Sequence, residues 1–374
     1  MEKLKLITII GTRPELIKLS VIIKKCDLYF NHILVHTGQN YDYTLNEIFY
    51  KDLDLRKPDF FLDVVGNNLG ETIGNIINKS YKLLNELNPD AILILGDTNS
   101  ALSTIAAKRL KIPIFHLEAG NRCFDENLPE EVNRRIIDHI SDINLPYSEH
   151  ARRYLLEEGV RKEYIFVVGS PMAEVLKRWE EKINNSKIIE NLELAPNKYI
   201  VLSAHREENI DIENNFFSLM NSINEMAEKY QLPVIYSTHP RSAKFIEQRK
   251  FKFHSLVKNI KPLCFTDYVK LQKNAFCTIS DSGTLPEEAS YFKYPAVSIR
   301  TSTERPEAMD QGNFIIGNIT INQLIQSVDM AVMMNKSGEL GSDVPCYSDL
   351  NMSNKVVKII QSYTGIVNKM IWRK

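Results

Sequence analysis

Carboxylates and cations recur together at a few points along this chain, in a pattern suited to moving a proton beside an anion. Leu117-Glu118-Ala119-Gly120-Asn121-Arg122 is followed by Pro129-Glu130-Glu131-Val132-Asn133-Arg134. Ile112 to Leu117 is a short apolar run closed by Gly120. In a protein of alternating strands and helices, such a point is the carboxyl edge of a parallel sheet, where ligands bind. Glu130 opens the next helix, and Arg134, four residues on, shares its face. There the arginine can hold an anion while the carboxylate moves the proton. An ordinary i, i+4 surface pair has the same spacing. The weight therefore rests on other strand ends with the same chemistry.

Gly11-Thr12-Arg13-Pro14-Glu15-Leu16-Ile17-Lys18 follows the first apolar run. It stands where a dinucleotide fingerprint would, with one glycine in place of the three needed to approach a pyrophosphate, which argues against a nicotinamide or flavin cofactor. Pro14 suits the first helical position, and Arg13 and Lys18 can contact a phosphate or sugar near that helix N-terminus. Gly96-Asp97-Thr98 ends another apolar strand; its aspartate fits an acid at the sheet edge and an N-cap equally well. His205-Arg206-Glu207-Glu208-Asn209 and His239-Pro240-Arg241 place histidine and arginine where they can face an anion, with a solvated loop as the alternative. Ser280-Asp281-Ser282-Gly283-Thr284-Leu285-Pro286-Glu287-Glu288 sets small residues between a strand and a helix. Amides freed at that helix N-terminus favour a diphosphate. Glu288, one turn in, can accept hydrogen bonds from a ribose, although a capped helix after a strand is common.

The elements that position these residues follow from hydrophobic rhythm. Leu4 to Ile10, Ile33 to Val35, Ala91 to Leu95, Ile112 to Leu117 and Ile165 to Val168 read as strands, with helices over Leu69 to Leu87 and Asn99 to Leu110. After Gly169-Ser170-Pro171, a charged, Asn-rich stretch from Lys177 to Asn197 reads as a crossover. The rhythm then restarts with Tyr199 to Leu202, Val234 to Tyr236, Phe276 to Ile279 and Ala296 to Ile299. An α/β class follows, with two doubly wound parallel-sheet domains facing a cleft. The expected boundaries are 1–172, 173–351 and a C-terminal helix over 352–374 packing across the hinge.

At 374 residues the chain is long enough for two cores. Charged residues make up 25% with a formal net charge of -1, so no basic field points to nucleic acid or an anionic membrane. Five cysteines, odd in number and without C-x-x-C spacing, argue against a disulfide framework or zinc ribbon and fit a reducing cytoplasm. Leu4 to Ile10 is too short to span a membrane.

The order GTRPE, GDT, HLEAGNR, PEE-x-NR, AHREEN, SDSG-x-x-x-EEA and TERPEA (Thr303 to Ala308) resembles the non-hydrolysing UDP-N-acetylglucosamine 2-epimerase family along nearly the whole chain. The resemblance implies a GT-B fold of two Rossmann-like domains, UDP held mainly by the C-terminal one, and inversion at C2 of a UDP-2-acetamido sugar by anti elimination and re-addition of UDP. It implies that Asp97, Glu118 and Glu130 are the acid-base carboxylates and that Arg13, Lys18, Arg134 and His205 manage substrate and diphosphate charge. Gln39, Arg122, His239, Tyr268, Ser282, Gly283, Thr284, Glu288 and Arg305 would complete the substrate site. It also implies a homodimer and no metal or cofactor.

Asn121 to Asp125 and Asp138 to Ser148 resemble one branch, which forms UDP-N-acetyl-L-fucosamine from UDP-2-acetamido-2,6-dideoxy-L-talose for capsules or O-antigens. Asn67-Asn68-Leu69-Gly70-Glu71 departs from the glutamine of bacterial enzymes that bind a second, allosteric substrate molecule. Thr284 and Pro286 depart from the family's commoner glycine and glutamine. UDP-N-acetylglucosamine 2-epimerase is the nearest alternative. A GT-B glycosyltransferase, a hydrolysing epimerase and a non-catalytic nucleotide-sugar sensor stand further off.

Overall fold

A computed structural model describes residues 2–39 and 43–374. The chain forms two compact units, Met1–Arg178 with Ser348–Lys374, and Trp179–Tyr347.

The first unit is built on six parallel strands: β1 (Lys5–Ile10), β2 (Asn31–His36), β3 (Phe60–Phe61), β4 (Ala91–Leu95), β5 (Ile114–Leu117) and β6 (Ile143–Leu145). Their order is β3-β2-β1-β4-β5-β6, and every pairing is parallel. The chain order reverses between β1 and β4, so their carboxyl ends flank a switch point, the place where open α/β sheets bind ligands. β-Branched and aliphatic runs build these strands because both sheet faces are covered. Ile7, Ile9, Val35, Ile92, Ile94 and Ile114 share one buried cluster, and each full burial contributes roughly 1.5–3 kcal/mol.

The second unit repeats the plan with β7 (Ile200–Ser203), β8 (Val234–Ser237), β9 (Val257–Ile260), β10 (Cys277–Ser280), β11 (Ala296–Ile299) and β12 (Ile315–Gly317). The order is β12-β11-β10-β7-β8-β9, which puts its switch point between β7 and β10. Ile200, Leu202, Val234, Tyr236, Ile279, Val297 and Ile299 form its buried centre.

Two expectations change. Ile165 to Val168 is not a strand. It makes a single bridge, Asn144 to Ile165, and donates from Phe166 to Asn144 and from Val168 to Pro146. Pro146 has no N–H with which to return the bond, so the ladder stops. The sixth strand is instead the short β6. Asn99 to Leu110 divides into a 3-10 turn, Asn99–Leu102, and an α-helix, Ser103–Arg109. The stretch after Pro171 is three short helices, Met172–Arg178, Glu180–Asn185 and Ile188–Asn191, anchored by buried Trp179, Ile183, Ile188 and Ile189.

Helix Met352–Val367 belongs to the first unit. The Ser353 amide and hydroxyl donate to Glu174 at 2.8 and 2.5 Å. The Phe166 and Tyr363 rings meet at 4.7 Å between centroids. Among the described residues, no helix is long and apolar enough to cross a membrane.

Candidate active site

In the first unit, the turns after β1, β4 and β5 bring Glu15, Lys18, Asp97 and Glu118 to one edge of the sheet. Helix Arg13–Tyr29 starts behind Thr12, with Pro14 inside its first turn and Glu15 closing a capping box. One turn on, Lys18 donates to both oxygens of Glu118 at 2.9 and 2.8 Å, and both side chains are 9% exposed. Asn121 Nδ2 and the Tyr147 hydroxyl approach the same carboxylate at 3.4 Å each. Glu118 holds a positive φ of 64°, a conformation that costs a non-glycine residue about 1 kcal/mol or more and that functional sites retain.

Asp97 is half-buried beyond β4, and its Oδ2 accepts from Arg134 Nε at 2.7 Å. Arg134 also donates to Glu131 at 2.7 Å. The guanidinium is 3% exposed, which sets aside the ordinary surface pair as an account of this residue. Asn133 Nδ2 donates to the Asp97 carbonyl at 2.9 Å, fixing the turn from the same helix, Pro129–Ile140. Glu130 lies in that helix's first turn, half-buried. Its neighbour Glu131 is the fully buried one, accepting from the Cys123 amide at 3.1 Å as well as from Arg134. The Asp97 turn is thus clamped by side chains: its carboxylate is engaged by Arg134, while Thr98, the N-cap of the 3-10 turn that follows, makes no side-chain cap hydrogen bond.

Gln39 accepts from the Ser100 amide and hydroxyl at 3.1 and 2.8 Å, tying the end of β2 to the turn after Asp97. Arg13 lies over the Phe49 ring at 5.6 Å. Glu15, which the sequence offered only as part of a motif, accepts from the Gly11 and Thr12 amides and from Thr98 Oγ1, each at 2.7 Å. Burial pushes its carboxyl up from 4.5 to about 7, against the opposing pull of those donors.

The second unit carries the other candidates on the turns after β7, β8 and β10. Asp281 is completely buried; its Oδ2 accepts from the His205 and Arg206 amides at 2.8 and 2.9 Å, and its Oδ1 lies 3.0 Å from His205 Nδ1. Burial alone would raise the Asp281 carboxyl, but the His205 ring and the two amides hold it well below the usual carboxylate range. The His239 ring sits 5.5 Å from that of His205, with its Nδ1 accepting from the Arg241 amide at 3.2 Å. In the β10 turn, Ser282 Oγ and Thr284 Oγ1 are 3.0 Å apart. A Cβ at Gly283 would come within 2.9 Å of Glu304 Oε1, so a larger residue there would displace that carboxylate. Glu288 is buried and accepts from Gln272 at 2.7 Å. Burial and the nearby Glu288 charge push the Tyr268 phenol up, with the Ser203 and Ser280 hydroxyls as its neighbours.

Two of the expected substrate contacts lie in the interior of their units. Arg122, 1% exposed, pairs with Asp138 at 2.7 Å and Glu158 at 2.6 Å. Arg305, also 1% exposed, lies 3.0 Å from Glu287. The sequence missed Glu131, Tyr147 and Asp281 as parts of the two constellations. Asp281 was recoverable, because an aspartate ending a buried strand opposite His205 has an evident partner. Among the described residues, no group of three or more His, Cys, Asp or Glu side chains could hold a metal ion.

Comparison with known proteins gives these constellations a family. Residues 24–361 match the model described as UDP-N-acetylglucosamine 2-epimerase. A structure of UDP-N-acetylglucosamine 2-epimerase from Rickettsia bellii superposes over 100% of both chains with a TM-score of 0.92 at 46% identity. The Methanocaldococcus jannaschii UDP-GlcNAc 2-epimerase, in complex with UDP-GlcNAc and UDP, has a TM-score of 0.89 at 31% identity and covers 96% of this chain and 99% of its own. UDP-2,3-diacetamido-2,3-dideoxy-D-glucuronate 2-epimerase of Pseudomonas aeruginosa is 32% identical over 87% of this chain and 91% of its own. The two Rossmann-like sheets are those of the GT-B-like epimerase structures. This chain belongs to the UDP-N-acetylglucosamine 2-epimerase family and is an isomerase that acts at C2 of a UDP-sugar.

Proposed function

We propose that the enzyme converts UDP-2-acetamido-2,6-dideoxy-L-talose to UDP-N-acetyl-L-fucosamine by anti elimination and re-addition of UDP. The C2–H bond breaks as its proton passes to a carboxylate. Its electron pair becomes the C1=C2 bond, and the C1–O pair leaves with UDP. Return of UDP to C1 and of a proton to the opposite face of C2 gives the epimer. A C2 proton beside no carbonyl is a poor acid, so loss of UDP leads or accompanies its removal. The site must then stabilise positive charge on the sugar and negative charge on the leaving diphosphate.

Asp97, Glu118 and Glu130 serve the sugar as the acid-base set. Arg134 holds Asp97 in place and Lys18 holds Glu118. His205, seated on Asp281, meets the diphosphate together with the Ser282 and Gly283 turn. Glu288 and Tyr268 serve the ribose. The active form is a homodimer in the cytoplasm.

What supports the choice of sugar is where the branch-bearing segments lie. Asn121 and Tyr147, one from each segment, approach Glu118 at 3.4 Å, and Cys123 Sγ lies 3.3 Å from Glu131 and 3.5 Å from Arg134. The segments that carry the branch resemblance therefore reach the proposed acids and their partners. UDP-N-acetylglucosamine is the second reading, favoured by the substrate named for the Methanocaldococcus jannaschii complex.

The test offers each UDP-sugar separately in deuterated water and follows C2 by proton NMR. Deuterium at C2 with the 6-deoxy-L-talo sugar alone is the expected result. Reaction with UDP-N-acetylglucosamine alone would overturn the choice of sugar, and free sugar accumulating in step with UDP would overturn the non-hydrolytic route.

A further inference from the structure

Beneath the acids lies a charged array that the proposed mechanism leaves unused. His116, on β5, is 0% exposed. Its Nε2 is 2.9 Å from the Gly96 carbonyl, and its Nδ1 is 2.9 Å from Asp138 Oδ1. Asp138 also accepts from the Gly120 amide at 3.1 Å and from Arg122 at 2.7 Å. Arg122 extends the array to Glu158 and to the Asn121 carbonyl.

A carbonyl can only accept, so the His116 ring donates from Nε2 to Gly96. The His116 ring and the Arg122 guanidinium outweigh burial to hold the Asp138 carboxyl below the usual carboxylate range. Arg122 in turn pairs with Glu158 at 2.6 Å, so the array runs from β5 to the end of the helix that follows β6.

The anchored backbone groups matter more than the charges. Gly96 immediately precedes Asp97, and Gly120 follows Glu118 by two residues. Both glycines have positive φ, 72° and 77°. A Cβ on Gly120 would lie 2.4 Å from the Ala151 carbonyl, so that turn has no alternative packing. One aspartate thus reaches the Asp97 turn through His116 and the Glu118 turn directly.

We propose that the His116–Asp138–Arg122 array is a positioning device, setting Asp97 and Glu118 in register for proton transfer at C2. The catalytic half of this rests on the epimerase reading; the coupling of the two turns does not. Full-length enzyme is labelled with 13C-carbonyl alanine and 15N-glycine; Ala119-Gly120 is the one Ala-Gly step in the chain, so the Gly120 amide is assigned directly by NMR. His116→Gln, made at the Gly96 end of the array, should shift that signal, and an unchanged signal would overturn the proposal. If that variant does not accumulate, Asp138→Asn is read in the same way. In the same variants, kcat for C2 exchange should fall about 100-fold while KM and UDP affinity stay within about threefold. A folded variant with the wild-type kcat, or one losing UDP affinity in proportion, would also overturn it. If the wild-type enzyme exchanges no C2 proton with any UDP-2-acetamido sugar, the epimerase reading has failed, and the Gly120 signal still judges the array.

Discussion

Replacing Lys18 by Met removes the cation from a pair in which both side chains are 9% exposed and both Glu118 oxygens are engaged. Asn121 and Tyr147 approach Glu118 at 3.4 Å, beyond the optimum for a strong hydrogen bond. Glu118 would be left as a buried charge without its cation, and breaking a buried pair in this way costs about 3–5 kcal/mol. For a unit of about 200 residues, each kcal/mol moves Tm by roughly 2–4 °C, so the first unit should melt about 6–20 °C lower. Glu118→Gln on the Lys18→Met background removes the stranded charge. The double variant should regain part of the loss, with a coupling of about 2–3 kcal/mol. The assay is calorimetry of wild type, both single variants and the double variant at pH 7.5 without nucleotide. Lys18→Met melting within about 2 °C of wild type, or strictly additive effects in the double variant, would refute the reasoning. Such a result would mean that the pair is solvated and that Glu118 is not held by Lys18.

Asp97→Asn, Glu118→Gln and Glu130→Gln should each lower C2 exchange at least about 100-fold with UDP affinity retained; near-normal rates in all three would remove the proposed acid set. Ser282→Ala should mainly weaken UDP binding in titration calorimetry, and a change in kcat alone would contradict its place in the diphosphate turn. Glu15 gives a pH signature. Its folded-state pKa is raised from 4.5 to about 7, so its contribution to stability is fully present below 4.5 and is lost as pH rises through 7, a change of roughly 3 kcal/mol. Glu15→Gln, which mimics the protonated acid, should flatten that part of the stability curve, and an unchanged slope between pH 4.5 and 8 would show that Glu15 is ionised throughout.

The alternation of apolar runs and helices disclosed both sheets because buried parallel strands need continuous apolar residues, and eight of the twelve strands carry that mark. β3, β6, β9 and β12 do not. Phe60 and Phe61 form only two paired residues, and Val257-Lys258-Asn259-Ile260 is an edge strand with two exposed polar positions. The turns bearing Asp97, Glu118, His205 and Ser282 were legible because glycine and small polar residues ended apolar runs at fixed places in the rhythm. What could not be read was direction. Arg122 and Glu118 are four residues apart on the same loop, yet one points into the interior and the other toward Lys18. The difference comes from Asp138 and Glu158, contributed by later helices, and no local pattern encodes a partner that distant.

That inward arginine also explains why a site of this kind needs charges below its surface. Three backbone positions around the acids have positive φ, at Gly96, Glu118 and Gly120, and apolar packing alone specifies such a loop poorly because it is not directional. The Gly120 amide donates to the Asp138 carboxylate, and the His116 ring beside that carboxylate donates to the Gly96 carbonyl, so both contacts act on the backbone itself with fixed geometry. Their net contribution to stability is small after desolvation; their effect is on which conformation the loop adopts. Proton transfer is sensitive to donor and acceptor placement at the scale of an ångström, so the selection falls on placement. The same logic extends to the second unit, which positions His205 by seating two backbone amides on Asp281, again using a buried carboxylate to fix a turn.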